Sequence, residues 1–436
     1  MNLISRIKAG KSIFHNLAGS IQLIIIKLFS GIITLILTPF LLRNANPTTY
    51  GLFITIVSFA TILELLDLGV SNGVRTRIAA AQALHDDTEI QILISSVFFL
   101  VVSLAVVVAI VGMFFTPLIQ WQALIKIPHG YLGQFQKSIT FGFVGLSIGL
   151  VGGMAVKLNL ALSNIRSVTI WNTFSVIATS LSLFWLSSRR DPLEGLIFGQ
   201  LIIPGIIGIL NLAILFYRNP KLRPKAIPKV REIRSVLASG KLFLVLEATT
   251  LISFQIDSVI VGHYLEPRQV ATLATSWKLF SAPLVIVSAA VVPLWTATAR
   301  AHANNNRKWI KNSYIYSLLL TSAVALPYSV VIVFYGKFAV KFWTHNQIIP
   351  SSNLIYASAI WLFIACVTLP YAMILNGLHA SRFLVVTAIF MTAFNVPASI
   401  ILTRIMKDPA GPLIGNIFAQ ILCFFIPLFF WIRHRI

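Results

Sequence analysis

The sequence predicts an all-α polytopic membrane protein of about 12 transmembrane helices, arranged as two six-helix lobes related by a parallel pseudo-two-fold axis. Three observations carry this. First, 57% of the 436 residues are hydrophobic and 11% are charged, where a soluble domain carries roughly 25% charge. Second, the apolar residues fall in continuous windows of about 20, the length that crosses a hydrocarbon core as a helix. Third, the windows of the second half repeat those of the first. The runs do not alternate in polarity, which excludes a membrane barrel. A soluble fold this apolar would expose aggregating patches, and a disordered chain needs the opposite composition.

The windows are, in order, Ser20–Leu42, Gly51–Val70, Ile90–Phe115, Ser138–Val156, Val168–Ser187, Gly195–Tyr217, Lys241–Val261, Val270–Thr296, Ser313–Tyr335, Asn353–Asn376, Phe383–Thr403 and Gly411–Trp431. The fourth, eighth and eleventh are the least pronounced. The first follows a basic stretch holding Arg6, Lys8 and Lys11. Its apolar run is too long for the h-region of a signal peptide, roughly 7–15 residues, so it reads as a retained span. Residues 1–19 read as a basic segment at the membrane surface.

The net charge is +22, from 34 Lys and Arg against 12 Asp and Glu. A basic chain raises nucleic-acid binding, but most of these charges fall in the linkers on one side of the spans. With the N-terminus inside, the inside linkers hold the majority of Lys and Arg, which orients both termini to the cytoplasm. Nucleic acid is therefore not an expected partner. With 8 His and 2 Cys, Cys366 and Cys423 lying in apolar runs, neither a zinc site nor a disulfide framework is expected.

The longest basic linker, residues 218–240, carries Pro220, Pro224 and Pro228, which break a continuing helix. It divides the chain into an N-terminal lobe (1–217, spans one to six) and a C-terminal lobe (241–436, spans seven to twelve). Leu41-Leu42 before Pro47 match Ile260-Val261 before Pro267, and the shift between Pro47 and Pro267 lays span one on span seven and span two on span eight. An even number of spans per half makes the repeat parallel, with its axis along the membrane normal, and in such transporters the substrate path lies between the halves.

Ionisable residues within spans are costly and usually face a cavity or a partner. Lys27 lies in span one, Glu64 and Asp67 in span two, Glu247 and Asp257 in span seven, and Lys278 in span eight. Lys27 and Glu247 occupy equivalent repeat positions, each roughly 10 Å from the inner end of its helix. The spacing predicts an inner cluster of Lys27, Glu64 and Glu247, and an outer pair of Asp257 with Lys278. A polar pathway between the lobes and a set of ion pairs fixing helix packing both fit this pattern. Intramembrane amides such as Asn172, Gln200, Gln255, Asn376, Asn395 and Gln420 suit sugar hydroxyls or neighbouring helices.

At the first hairpin the sequence reads Pro47-Thr-Thr-Tyr50-Gly51-Leu52-Phe53, then Leu65-Leu66-Asp67-Leu68-Gly69-Val70-Ser71-Asn72-Gly73, followed by Arg75 and Arg77. The second half carries Asp257-Ser258-Val259-Ile260-Val261-Gly262 before Pro267. This resembles the bacterial polysaccharide (O-antigen-type) flippases of the MATE-like multidrug/oligosaccharidyl-lipid/polysaccharide exporter superfamily. The resemblance implies a V-shaped pair of lobes with a central cavity lined by spans one, two, seven and eight. It implies transport of an undecaprenyl-pyrophosphate-linked oligosaccharide from the inner to the outer leaflet of the bacterial cytoplasmic membrane by alternating access. In that scheme Arg75 and Arg77 collect the pyrophosphate, Lys27 and Lys278 are successive anion contacts, and Glu64, Asp67, Glu247 and Asp257 serve ion coupling or ion pairing. No cofactor beyond a coupling H⁺ or Na⁺ and no enzyme activity are expected. The partners implied are the bilayer, the lipid-linked glycan, and a polysaccharide polymerase with its chain-length regulator. Two cavity lysines accompanied by several acids depart from a simple cationic cavity.

Two other transport readings stay open at this point. A cation-coupled multidrug extruder of the same fold would favour an acidic, aromatic cavity. A major-facilitator-type solute transporter shares the twelve-span parallel repeat, but its acidic–basic glycine signature is missing from Ser71-Asn-Gly-Val-Arg75-Thr-Arg77-Ile. A membrane glycosyltransferase would need a catalytic carboxylate loop, for which Asp86, Asp87 and Glu89 are the only acidic cluster.

Overall fold

The structure, a computed structural model, describes residues 3–67, 74, 77–78, 81–82, 84, 86–162, 164–189, 191–225, 228–378 and 380–435. The described residues are helices and short connections. In chain order the long helices are α1 (Leu3–Leu63), α2 (Asp87–Phe115), α3 (Leu132–Ala161), α4 (Ile165–Leu186), α5 (Pro192–Arg218), α6 (Val230–Tyr264), α7 (Pro267–Phe280), α8 (Ala282–Ala303), α9 (Arg307–Trp343), α10 (Ser352–Gly377), α11 (Ser381–Met406) and α12 (Gly411–Leu428). Ten helical stretches among the described residues are long and apolar enough to cross a membrane. The first of these, Leu28–Leu63, is two spans in one. Its helix breaks at Asn46, whose backbone is non-helical with φ of 62°. The Asn46 side chain accepts the Thr49 amide at 2.9 Å, and Pro47 opens the next arm. This is an N-cap followed by proline at the first helical position, where no N–H is needed. The 35-residue α6 is about 50 Å long, ample for a further span. Helices α7 and α8 together make the span after it.

The internal repeat is visible in the helix register. Helices α2 and α9 begin at Asp87 and Arg307, α3 and α10 at Leu132 and Ser352, and α4 and α11 end at Leu186 and Met406. Each pair is separated by the same interval as Pro47 and Pro267. The two last spans also share a backbone irregularity. Phe198–Ile202 and Gln420–Phe425 are π-helical turns, closed by Ile203 N donating to Phe198 O and by Ile426 N donating to Ile421 O. Each precedes a proline, Pro204 or Pro427. A proline ring clashes with the carbonyl four residues back, and a widened turn relieves that clash without breaking the span.

The halves share one core at one end and have separate cores at the other. Near the Asn46 break they share one buried core. Leu42, Tyr50, Phe53 and Trp121 of the first half join Val261, Val270 and Leu273 of the second. Four hydrogen bonds cross this seam: Lys278 Nζ to Tyr50 Oη at 2.6 Å, Lys126 N to Gly262 O at 3.0 Å, Trp343 Nε1 to Leu35 O at 3.0 Å, and His263 Nδ1 with Leu124 O at 2.7 Å. Gly51 lies so close to the Pro267 carbonyl that no side chain fits between them. The opposite end, where the 218–240 linker runs, has a separate core. Ile78, Leu93, Met154, Leu158 and Leu212 of the first half form it, and Val236 from the start of α6 is buried among them. The second half has its own small cores there, around Tyr371, Leu375 and Leu428 and around Ala301, Ile310 and Ile374.

Candidate functional site

A cavity of about 380 Å³ opens within the first half, between α3, α4 and α5. Its shape is set by glycines. Gly152 of α3 faces Gly205 and Gly208 of α5 so closely that a β-carbon on any of them would strike the other backbone. Small residues of this kind let membrane helices cross in backbone contact. On the same helix, Gly149 and Gly153 meet no atom within 4 Å of where a β-carbon would stand. Both line the cavity, so the space exists because those positions carry no side chain.

The lining is polar for a bundle this apolar. Asn172 and Ser175 come from α4, Gln200 from the π-helical turn of α5, and Asn211 from one helical stretch further on. Asn211 is buried, and its Nδ2 has no hydrogen-bond partner. Trp171 presents an aromatic face beside these amides. Glu64 reaches the cavity from the 3₁₀ turn Glu64–Asp67 that ends α1, Glu247 reaches it from α6, and Lys157 from near the C-terminal end of α3. Two carboxylates and one ammonium therefore share one chamber with several amides. A smaller cavity of about 200 Å³ occupies the equivalent place in the second half, between α6, α10, α11 and α12. Thr392 and Gln420 line it at the repeat positions of Asn172 and Gln200.

The sequence-predicted residues divide into three groups. Glu64 and Glu247 do come together, as expected for the inner cluster; the Lys27 side chain lies outside the described residues, as do the Asp67 side chain and Arg75. The outer pair of Asp257 with Lys278 does not form. Lys278 instead donates to Tyr50 Oη across the seam and sits 5.3 Å from that ring's centroid. Asp257 is 5% exposed, and its Oδ1 has no partner. The two face different neighbours because α6 and α7 are joined by a tight turn whose geometry the charge spacing does not encode. Arg77 is bridged rather than open: its guanidinium pairs with Glu89 at 2.6 Å and donates to Ser235 Oγ at 2.8 Å, tying α2 to the start of α6. Spans one and eight, expected along the cavity, do not line it; α3, α4 and α5 do. The Asp86-Asp87-Glu89 cluster is structural. Asp86 caps α2 through the Glu89 amide, Asp87 pairs with Lys221 at 3.0 Å, and Glu89 holds Arg77. Sequence reasoning missed Lys157, which lies just past the predicted window Ser138–Val156, and it missed Trp171 and Asn211. The glycine spacing at 145, 149, 152 and 153 was the available signal for a helix face without side chains.

A family model described as polysaccharide biosynthesis protein matches residues 16–298, more than half of the chain. The chain belongs to this family. A second model, MatE, matches residues 244–401, which lie in the second half. No curated protein matches the sequence. Among solved structures, the inward-facing conformation of a multidrug resistance MATE family transporter of the MOP superfamily aligns with a TM-score of 0.75 at 14% identity, covering 94% of this chain and 98% of that one. The lipid II flippase MurJ in an inward closed conformation aligns with a TM-score of 0.72 at 14% identity, covering 94% and 87%. An outward-facing conformation of a multidrug resistance MATE family transporter aligns with a TM-score of 0.64 at 14% identity, covering 96% and 95%. The chain thus shares the fold of these transporters, carries ten helical stretches among its described residues long and apolar enough to cross a membrane, and has an amide-lined chamber between α3, α4 and α5.

Proposed function

We propose that the protein moves an undecaprenyl-pyrophosphate-linked oligosaccharide, a repeat unit of O-antigen, capsule or exopolysaccharide, from the cytoplasmic to the outer leaflet of the bacterial inner membrane. The observation that carries this reading is the amide-lined chamber with an aromatic wall inside an otherwise apolar bundle. An oligosaccharide headgroup has many hydroxyls, each costly to strip of water without replacement partners. Asn172, Gln200 and Asn211 offer such partners, and Trp171 offers a face for a sugar ring. The lipid tail stays in the bilayer while the headgroup crosses. Lys157 supplies a positive charge for the pyrophosphate, since a compact ammonium binds phosphate as a point charge.

The excess of Lys and Arg at the linker end places that end, with both termini, in the cytoplasm. In this scheme the loading state keeps the seam near Asn46 closed and opens the linker end to the cytoplasm. Rocking of the lobes about the seam exposes the chamber to the other leaflet. Glu64 and Glu247 are the coupling candidates for H⁺ or Na⁺, and Asp257 is a third, outside the chamber. No covalent step is required. A polymerase and its chain-length regulator receive the product.

One observation favours a second reading: the two carboxylates of the chamber outnumber its one ammonium, which suits a cation-coupled extruder of organic cations. A single experiment separates them. Proteoliposomes holding a fluorescent lipid-linked oligosaccharide are sampled with a membrane-impermeant glycosidase. Time-dependent movement of the glycan, slowed in Lys157→Ala, is the expected result. No movement, together with export of cationic drugs from an extruder-deleted cell, would establish the extruder reading instead.

A further inference from the structure

A larger crevice, about 840 Å³, lies at the seam end between α1 and α9, away from the chamber. Its floor is apolar: Ile36 and Phe40 come from α1, and Phe338 and Phe342 from α9. The last two stack with centroids 5.9 Å apart. Its rim is basic. Arg43, Lys341 and His345 line it, no acid does, and none of the three side chains makes a hydrogen bond or ion pair among the described residues. The two walls are tied together by the sequence itself. Pro39 has no N–H, so the Leu35 carbonyl lacks its helical donor, and Trp343 of the other half supplies one at 3.0 Å.

We propose that this crevice binds an anionic membrane phospholipid. Its phosphate sits on Arg43, Lys341 and His345, and one acyl chain lies along Phe40 and the Phe338–Phe342 pair. The assignment rests on charge complementarity and on amphiphile order. Three unpaired basic groups stand at the helix ends, where a headgroup lies. The apolar strip runs from them about 12 Å along α1, from Arg43 to Leu35, toward the hydrocarbon. A guanidinium grips phosphate through two parallel hydrogen bonds. The cargo chamber is no source for this ligand, because the shared core closes the seam between the two places. A lipid seated here touches both halves and holds the seam shut.

The test uses purified full-length protein in phosphatidylcholine nanodiscs doped with phosphatidylglycerol, released from the disc and weighed intact by native mass spectrometry. Wild type should retain phosphatidylglycerol over phosphatidylcholine. The triple substitution Arg43→Gln, Lys341→Gln, His345→Gln should lose that preference by at least about tenfold, which is about 1.4 kcal/mol. Phe338→Ala with Phe342→Ala should lower retention of both lipids while keeping the preference. Equal retention of the two lipids by wild type, or an unchanged preference in the triple variant, would overturn the proposal. So would displacement of phosphatidylglycerol by added undecaprenyl phosphate, which would make the crevice a carrier site. Glycan movement is not read in this experiment, so its outcome is separate from the flippase reading.

Discussion

The two halves of the protein carry matching helices, yet among the described residues the roomier polar chamber lies between helices of the first, with Glu247 of the second at its wall. The difference lies in a few positions. Gly149, Gly153, Gly205 and Gly208 of the first half stand where the second half has Leu369, Met373, Phe425 and Leu428. Cavity volume follows, about 380 Å³ against about 200 Å³. Both halves keep a glutamine in the π-helical turn of their last span, Gln200 and Gln420. A duplicated scaffold thus keeps its backbone geometry and its polar anchor while side-chain size decides which copy holds space.

The comparison can be broken most forcefully at the helix crossing. Gly208→Leu, which installs the second half's residue, has no room beside the Gly152 backbone. Overpacking costs about 1–3 kcal/mol or more, and a backbone clash lies at the upper end. Loss of the folded peak in size-exclusion chromatography is the expected outcome. Gly149→Leu is the contrasting change. It points into open space, and replacing a mid-helix glycine gains about 0.8–1 kcal/mol of helix propensity. The unfolding temperature should hold or rise while glycan movement stops; normal movement would mean that the chamber is not the path.

Smaller effects sharpen the asymmetry. Gln200→Ala removes an amide from the chamber and should slow glycan movement about fivefold to tenfold, the worth of about one hydrogen bond. Gln420→Ala should leave the rate unchanged. Equal slowing by the two would place cargo in both halves. Leu369→Ala enlarges the second cavity, and since Leu369 is only half-buried, its cost should fall at or below about 2 kcal/mol, the low end for such truncations. It is expected to lower the unfolding temperature slightly and not to alter the rate of transport.

Much of the architecture was legible in the chain. Apolar windows are local properties, so spans could be counted without knowing how they pack. Pro47 and Pro267 fixed the repeat because a proline at the first helical turn marks a helix start. The hairpin motif acquires a physical reason in the fold: Tyr50 receives Lys278, and Gly51 admits the Pro267 carbonyl. The site was less legible. Glu64 and Glu247 were found because a charge in a span is conspicuous, and their depths could be compared by counting turns. Lys157 was hidden because the apolar window ends at Val156 while the helix runs on to Ala161, so the charge fell just outside the predicted span. The Asp257–Lys278 pairing failed because depth alone was compared, while the direction of each side chain around its helix was not known.

The sequence by itself determined that this is a helical membrane protein with a parallel internal repeat, a basic linker at one end and tight proline hairpins at the other. Hydropathy, proline and charge act over a few residues, and the bilayer leaves a helix little choice but to span. Only the tertiary structure decided which half holds the chamber, which acids face it, and that Lys278 closes the seam rather than lining a path. Those outcomes depend on how each helix is rotated about its axis and how closely two backbones approach. Packing against neighbours sets both, and no single segment carries that information.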